Sequence, residues 1–161
     1  MTDHYPYRIA GGSGYLVLIW RPGKGDAPDE FVVDDHGRLL ASPDTKGLQK
    51  HCERNGRPFV QDEEATLDLE AVREWAEGPR RGPVPAGLLL DAWNFFDDLS
   101  HSRPAGSSLP AQGPIHDDAY EKIFGGDEAC TDEEMAAMGE LLRAGLNLWE
   151  RSARGSVIVI E

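Results

Sequence analysis

Asp91, Asn94, Asp97, Asp98 and His101 stand at i, i+3, i+6, i+7 and i+10. On a helix, at about 100° per residue, this spacing gathers them on one face, opposite Leu88, Leu89, Ala92, Trp93, Phe95, Phe96 and Leu99. Three carboxylates, an amide and an imidazole in one row offer oxygen and nitrogen ligands to a divalent cation, or a pair of groups for acid–base work. His116, Asp117 and Asp118, across the next loop, would complete a fuller mixed-ligand site. The metal-dependent reading, a hydrolase or other small-molecule enzyme, therefore rests on Asp91, Asp98, His101 and His116. The competing structural account is a solvated face of an amphipathic helix. Asp97 and Asp98 fall near the helix C-terminus, where the macrodipole disfavours anions. That placement points to a cationic neighbour, either Arg103 or a partner.

A second acidic bank follows the loop. Asp117, Asp118, Glu121, Asp127 and Glu128 run on to Asp132, Glu133 and Glu134, with Lys122 as the one base among them. Part of this is helix-start chemistry: Thr131-Asp-Glu-Glu134 is a capping box, and acids favour a helix N-terminus. The excess over capping suits fast, salt-sensitive docking of a basic protein. Contact residues expected on that reading are Asp91, Asn94, Asp97, Asp98, Asp117, Asp118, Glu121, Asp127 and Glu128.

The charge of the whole chain supports this division. Residues 1–60 carry eight acids and eight bases, whereas residues 61–161 carry 21 acids and eight bases, so the net charge of −13 lies in the second part. An acidic body with no basic patch disfavours nucleic acid and anionic membrane as partners. No apolar run approaches the length of a membrane span. The N-terminus has neither a basic nor an apolar signal region, and Cys52 and Cys130 fit no metal or redox spacing, so the expected location is the cytoplasm. No cofactor motif is present. Gly11-Gly12-Ser13-Gly14 resembles a phosphate loop or nucleophile turn only in composition. It precedes a strand, whereas both devices open a helix, so it is expected to be a turn before the first strand. His4, His36 and His51 are isolated.

These groups must be carried by a definable set of elements. The run 15–20 is β-branched and aromatic, as a buried strand requires. Residues 30–34 and 38–41 form a hairpin about Asp35-His36-Gly37. Asp44 caps a helix that ends at Asn55-Gly56, and Asp68 caps another carrying Leu69, Val72 and Trp75. Residues 78–85, with three prolines and two glycines, form a loop, as does the Pro/Gly/Ser-rich stretch 102–114. Helices are expected at 88–101, at 117–124 and after Thr131. Residues 157–160 read as a strand joining the N-terminal sheet.

The expected fold is α+β in a single domain: a small antiparallel sheet from residues 9–41, packed on one side by four or five helices from a mainly helical, acidic second half. The expected function is a non-enzymatic acidic module that neutralises or regulates a basic partner. Immunity proteins and antitoxins share this general profile, although no motif identifies one such family. The alternatives are the metal-dependent enzyme and a homodimeric scaffold paired through 157–160.

Overall fold

The apolar run 15–20 belongs to a strand whose centre, Val17, Leu18 and Ile19, is buried on both sides. In the computed structural model, which describes residues 3–11, 14–60, 65–78, 83–102, 109–127 and 129–158, this run lies within β2 (Gly14–Arg21). Val17 and Ile19 face a small core shared with Leu48 and Cys52. Leu18 and the partly buried Trp20 face the main core. Alternating side chains thus enter two apolar layers.

The neighbours of β2 are β1 (Tyr5–Gly11), β3 (Glu30–Phe31) and β4 (Leu40–Ser42), all antiparallel to it. Two parallel pairings extend this centre. β5 (Ala65–Asp68) lies beside β1, and β6 (Val157–Ile158) lies beside β4. The path is β5-β1-β2-β4-β6, with β3 also on β2. The fold is therefore α+β as expected, with a mixed rather than wholly antiparallel sheet. The glycine-rich segment differs from expectation, since Gly11 and Gly14 end β1 and begin β2 instead of preceding the first strand. The C-terminal strand pairs within the chain at Val157 and Ile158, and residues 159–160 lie outside the described set.

The helices do not all pack on one side. α1 (Thr45–Arg54) covers the face carrying Val17 and Ile19. Asp44 caps it by accepting the Gly47 N–H at 2.8 Å, and Gly56 beyond its end adopts φ +65°. α2 (Leu69–Glu77), α3 (Ala86–Ser102), α4 (Pro114–Phe124) and α5 (Asp132–Arg154) build the main core against the other face. Asp68 caps α2 through the Glu70 and Ala71 N–H groups. Thr131 and Glu134 form the reciprocal capping box of α5, at 3.1 and 2.7 Å.

Phe95 of α3 joins sheet to helices. Its ring stacks on Tyr7 at 5.5 Å and 14°, and meets Phe31 at 5.2 Å and Trp149 of α5 at 5.7 Å. The C-terminal turn of α3 is tied down separately: the Phe31 N–H donates to Ser102 Oγ at 2.7 Å, and that hydroxyl donates to the Asp98 carbonyl at 2.8 Å. Polar bonds also fix α5. Arg143 reaches the Ala76 carbonyl at the end of α2, and Lys122 of α4 reaches the buried Glu134 at 2.6 Å. No described helix is long and apolar enough to cross a membrane.

Candidate functional site

α3 follows Pro85 and presents apolar side chains through Leu89, Ala92, Trp93, Phe96 and Leu99, all buried. Its polar residues do not share one surface. They divide between two directions, because α3 is flanked both by the sheet and by α4.

Asp91 and Asp98 flank Phe95 on the side that meets the sheet. Trp20 Nε1 donates to Asp98 Oδ2 at 3.1 Å. Burial pushes the Asp98 carboxyl up to about 6, with Asp29 and Asp97 adding to the rise while the Trp20 bond and His101 oppose it. Partial desolvation also raises Asp91, whose side chain remains largely exposed. The Tyr7 phenol is pushed above its ordinary range by burial and then by the negative charges of Asp91 and Asp98.

Asn94 and Asp97, three residues apart, face α4. With Trp93, Gln112, Asp117, Tyr120 and Glu121 they line a groove of about 450 Å³. Tyr120 OH donates to Asn94 Oδ1 at 2.7 Å and bridges the two helices. The Tyr120 ring meets Trp93 edge to face at 5.1 Å and 79°, and lies nearly parallel to Phe124 at 6.3 Å and 21°. Among the described residues no cation forms an ion pair with Asp97, Asp117 or Glu121. The nearby base Lys122 is engaged by Glu134.

The residues expected to hold a metal are only partly assembled. Ligand atoms of Asp97, Asp98 and His101 lie within 4.8 Å of one another. Asp91 and His116 do not join them. His116 instead accepts the Gly113 N–H through Nδ1 at 3.1 Å, a contact local to the start of α4, and its ring meets the Trp93 edge. Of the expected contact residues, Asn94, Asp97, Asp117 and Glu121 meet in the groove. Asp118 is exposed outside it, and Asp127 is exposed and accepts the Ala129 N–H at 2.9 Å in a turn. Glu128 and Arg103 lie outside the described residues, as do residues 104–108 of the expected 102–114 loop; of the rest, 109–113 is non-helical, Ser102 ends α3 and Pro114 begins α4.

Sequence spacing missed Trp93, Gln112 and Tyr120 as groove residues, and Trp20 and Asp29 as neighbours of Asp98. One signal was available: Asp117, Tyr120, Glu121 and Phe124 recur at three- and four-residue intervals and share a face of α4.

A second cleft, of about 440 Å³, opens between the β1–β2 hairpin and helices α2 and α5. Ile9, Leu69 and Trp149 line it, and Arg73 bridges its rim to Glu150 at 2.6 Å. It contains none of the acidic residues expected to act.

No protein-family model matches the chain, and no curated protein matches it in sequence. Among solved structures, the chain is similar to the SatS C-terminal domain, whose crystal structure is in complex with bromine. The two superpose with a TM-score of 0.55 at 13% identity, over 96% of this chain and 93% of that one. At that identity the likeness concerns the fold: this chain shares the α+β arrangement of the SatS C-terminal domain.

Proposed function

We propose that this chain is an acidic protein-binding module in which the α3–α4 groove receives a basic surface of a partner protein, neutralising or regulating that partner. The observation that carries the reading is the convergence of Asp97, Asp117 and Glu121 on one groove with no paired cation among the described residues. A cation entering the groove would meet carboxylates from both of its walls. The net charge of −13 adds long-range attraction, which accelerates encounter with a basic partner and weakens as salt screens it. The cytoplasm is the proposed setting, supported by the free thiols of Cys52 and Cys130.

The test is titration of a basic synthetic peptide, rich in lysine and arginine, into the wild type and into the triple variant Asp97→Asn, Asp117→Asn, Glu121→Gln. Wild-type affinity is expected to fall steeply between about 50 and 500 mM salt, over which the screening length shrinks several-fold. The variant, checked for an unchanged circular dichroism spectrum, is expected to bind at least about tenfold more weakly. Equal affinity for the two proteins would remove the groove from the interface.

A second reading, a divalent-cation site, is favoured by the proximity of Asp97, Asp98 and His101. It predicts stoichiometric zinc or manganese binding by calorimetry, lost in His101→Ala. Absence of heat at millimolar metal would dismiss it.

A further inference from the structure

We infer that the α3–α4 groove selects the guanidinium group of arginine over the ammonium of lysine, an inference that rests on reading this groove as the docking site for a basic partner. The carboxylates alone would serve any cation. The aromatic rings beside them distinguish one cation from another.

Carboxylates occupy both walls, Asp97 on α3 with Asp117 and Glu121 on α4. Asp117 and Glu121 are one helical turn apart and point the same way. A guanidinium presents five N–H donors in a rigid planar fork, so it can bond to both walls at once. An ammonium is a compact, strongly hydrated point charge with three donors.

Phe124 extends the α4 face that carries Asp117 and Glu121. It is 71% exposed, the most exposed large apolar side chain of the described residues, and lies nearly parallel to Tyr120. Tyr120 is held in orientation by its bond to Asn94 and by Trp93. An aromatic side chain left in water at the end of an acidic groove gains little from folding, but it can stack on a flat cation. Arginine stacks on rings more readily than lysine, and its alkyl stem covers apolar surface that would otherwise stay wet.

The experiment uses three synthetic peptides of one basic sequence, with arginine, lysine or neutral citrulline at a single central position. Each is titrated into the full chain. The wild type is expected to bind the arginine peptide about tenfold more tightly than the lysine peptide and the citrulline peptide most weakly, as expected when stacking and a two-walled fork both favour the guanidinium. Phe124→Ala, a substitution at an exposed site, should lower the arginine-to-lysine ratio several-fold. Ile115→Ala, elsewhere on α4 and 41% exposed, should leave the ratio unchanged. Equal binding of the arginine and lysine peptides by the wild type would overturn the selectivity while the acidic docking reading stands. An unaltered ratio in Phe124→Ala would also overturn it, and failure of all three peptides to bind would overturn both proposals.

Discussion

Gly145→Ala is expected to destabilise the protein by about 2–3 kcal/mol, the upper part of the range for a methyl forced into a filled core. A Cβ at this position would lie 2.2 Å from Phe96 Cδ2, 2.3 Å from Cγ and 2.7 Å from Cε2. Phe96 is fully buried, with the Phe95 ring 5.5 Å away, so the Phe96 ring has no open space into which to retreat. Its Cγ is also anchored close to the α3 backbone and cannot swing aside as a chain tip would. Alanine is the better helix former by about 1 kcal/mol, so keeping glycine in the interior of α5 already costs the helix something. The close approach of the Phe96 ring to the α5 backbone accounts for that choice. The predicted loss corresponds to a fall in melting temperature of roughly 4–12 °C for a chain of this size.

Two comparisons make the prediction specific. A Cβ on Gly87, in the first turn of α3, meets nothing within 4 Å, so Gly87→Ala should be neutral or stabilising by up to about 1 kcal/mol. Phe96→Leu removes part of the ring, so the double variant with Gly145→Ala should lose less than the sum of the single losses. Strict additivity, or a wild-type midpoint for Gly145→Ala in urea, would mean that the ring is seated elsewhere.

Where a fold signal is local, it was legible in the sequence. Asp44, Asp68 and Thr131 announced their helices because a cap is a bond between a side chain and a backbone two or three residues away. β2 was equally readable, since burial on both faces demands an unbroken apolar run. β1 was not, because it carries Pro6 and Arg8, which argue against an inner strand. Its pairing with β5 begins only at Tyr7, one residue after the proline. β5 has four residues and forms a parallel pair with a strand more than fifty positions away, so no local period marks it. Its Thr66, Leu67 and Asp68 read instead as the approach to α2.

The site shows the same division. Helical spacing placed Asn94 and Asp97 on one face of α3, and both line the groove. It could not separate them from Asp91 and Asp98, because the split is made by the surroundings of α3: Tyr7 and Trp20 on the sheet, Tyr120 on α4. Trp93, counted from its spacing as core, is indeed buried at 3% exposure, yet it also lines the groove. A large ring can serve the core and the cleft at once, and a periodic pattern records only the first of these.

At pH 8, Asp98→Asn is expected to be more stable than the wild type by about 1–2 kcal/mol, and this advantage should vanish near pH 4. Burial raises the folded-state value of Asp98 from 3.8 to about 6. Between those two values the folded chain holds a proton that the unfolded chain has released, so stability falls as pH rises through the window. The contribution is fully present below about 4 and lost above about 6. A shift of this size is worth about 3 kcal/mol at most, and partial access of water to Asp98 reduces it to the figure given. Asparagine can still accept the Trp20 N–H through its amide oxygen, and its amide can donate to the neighbouring Asp97, so the substitution removes a charge and keeps the bond. Asp98→Ala removes both, and should forfeit part of the gain by leaving the Trp20 N–H without its acceptor. Urea midpoints across the pH range decide the matter, and a difference between wild type and Asp98→Asn that is constant with pH would exclude this origin. The groups facing Asp98 are Asp29 from the β2–β3 loop, Asp97 and His101 from α3, Trp20 from β2 and the Tyr7 phenol from β1. Two of these neighbours are carboxylates, so the wild type carries a cost at neutral pH that a bound cation would relieve. Added zinc or manganese that abolishes the advantage of Asp98→Asn would therefore place the cation at Asp97, Asp98 and His101. An advantage unaffected by metal but erased by a basic peptide would assign the relief to docking at the neighbouring groove.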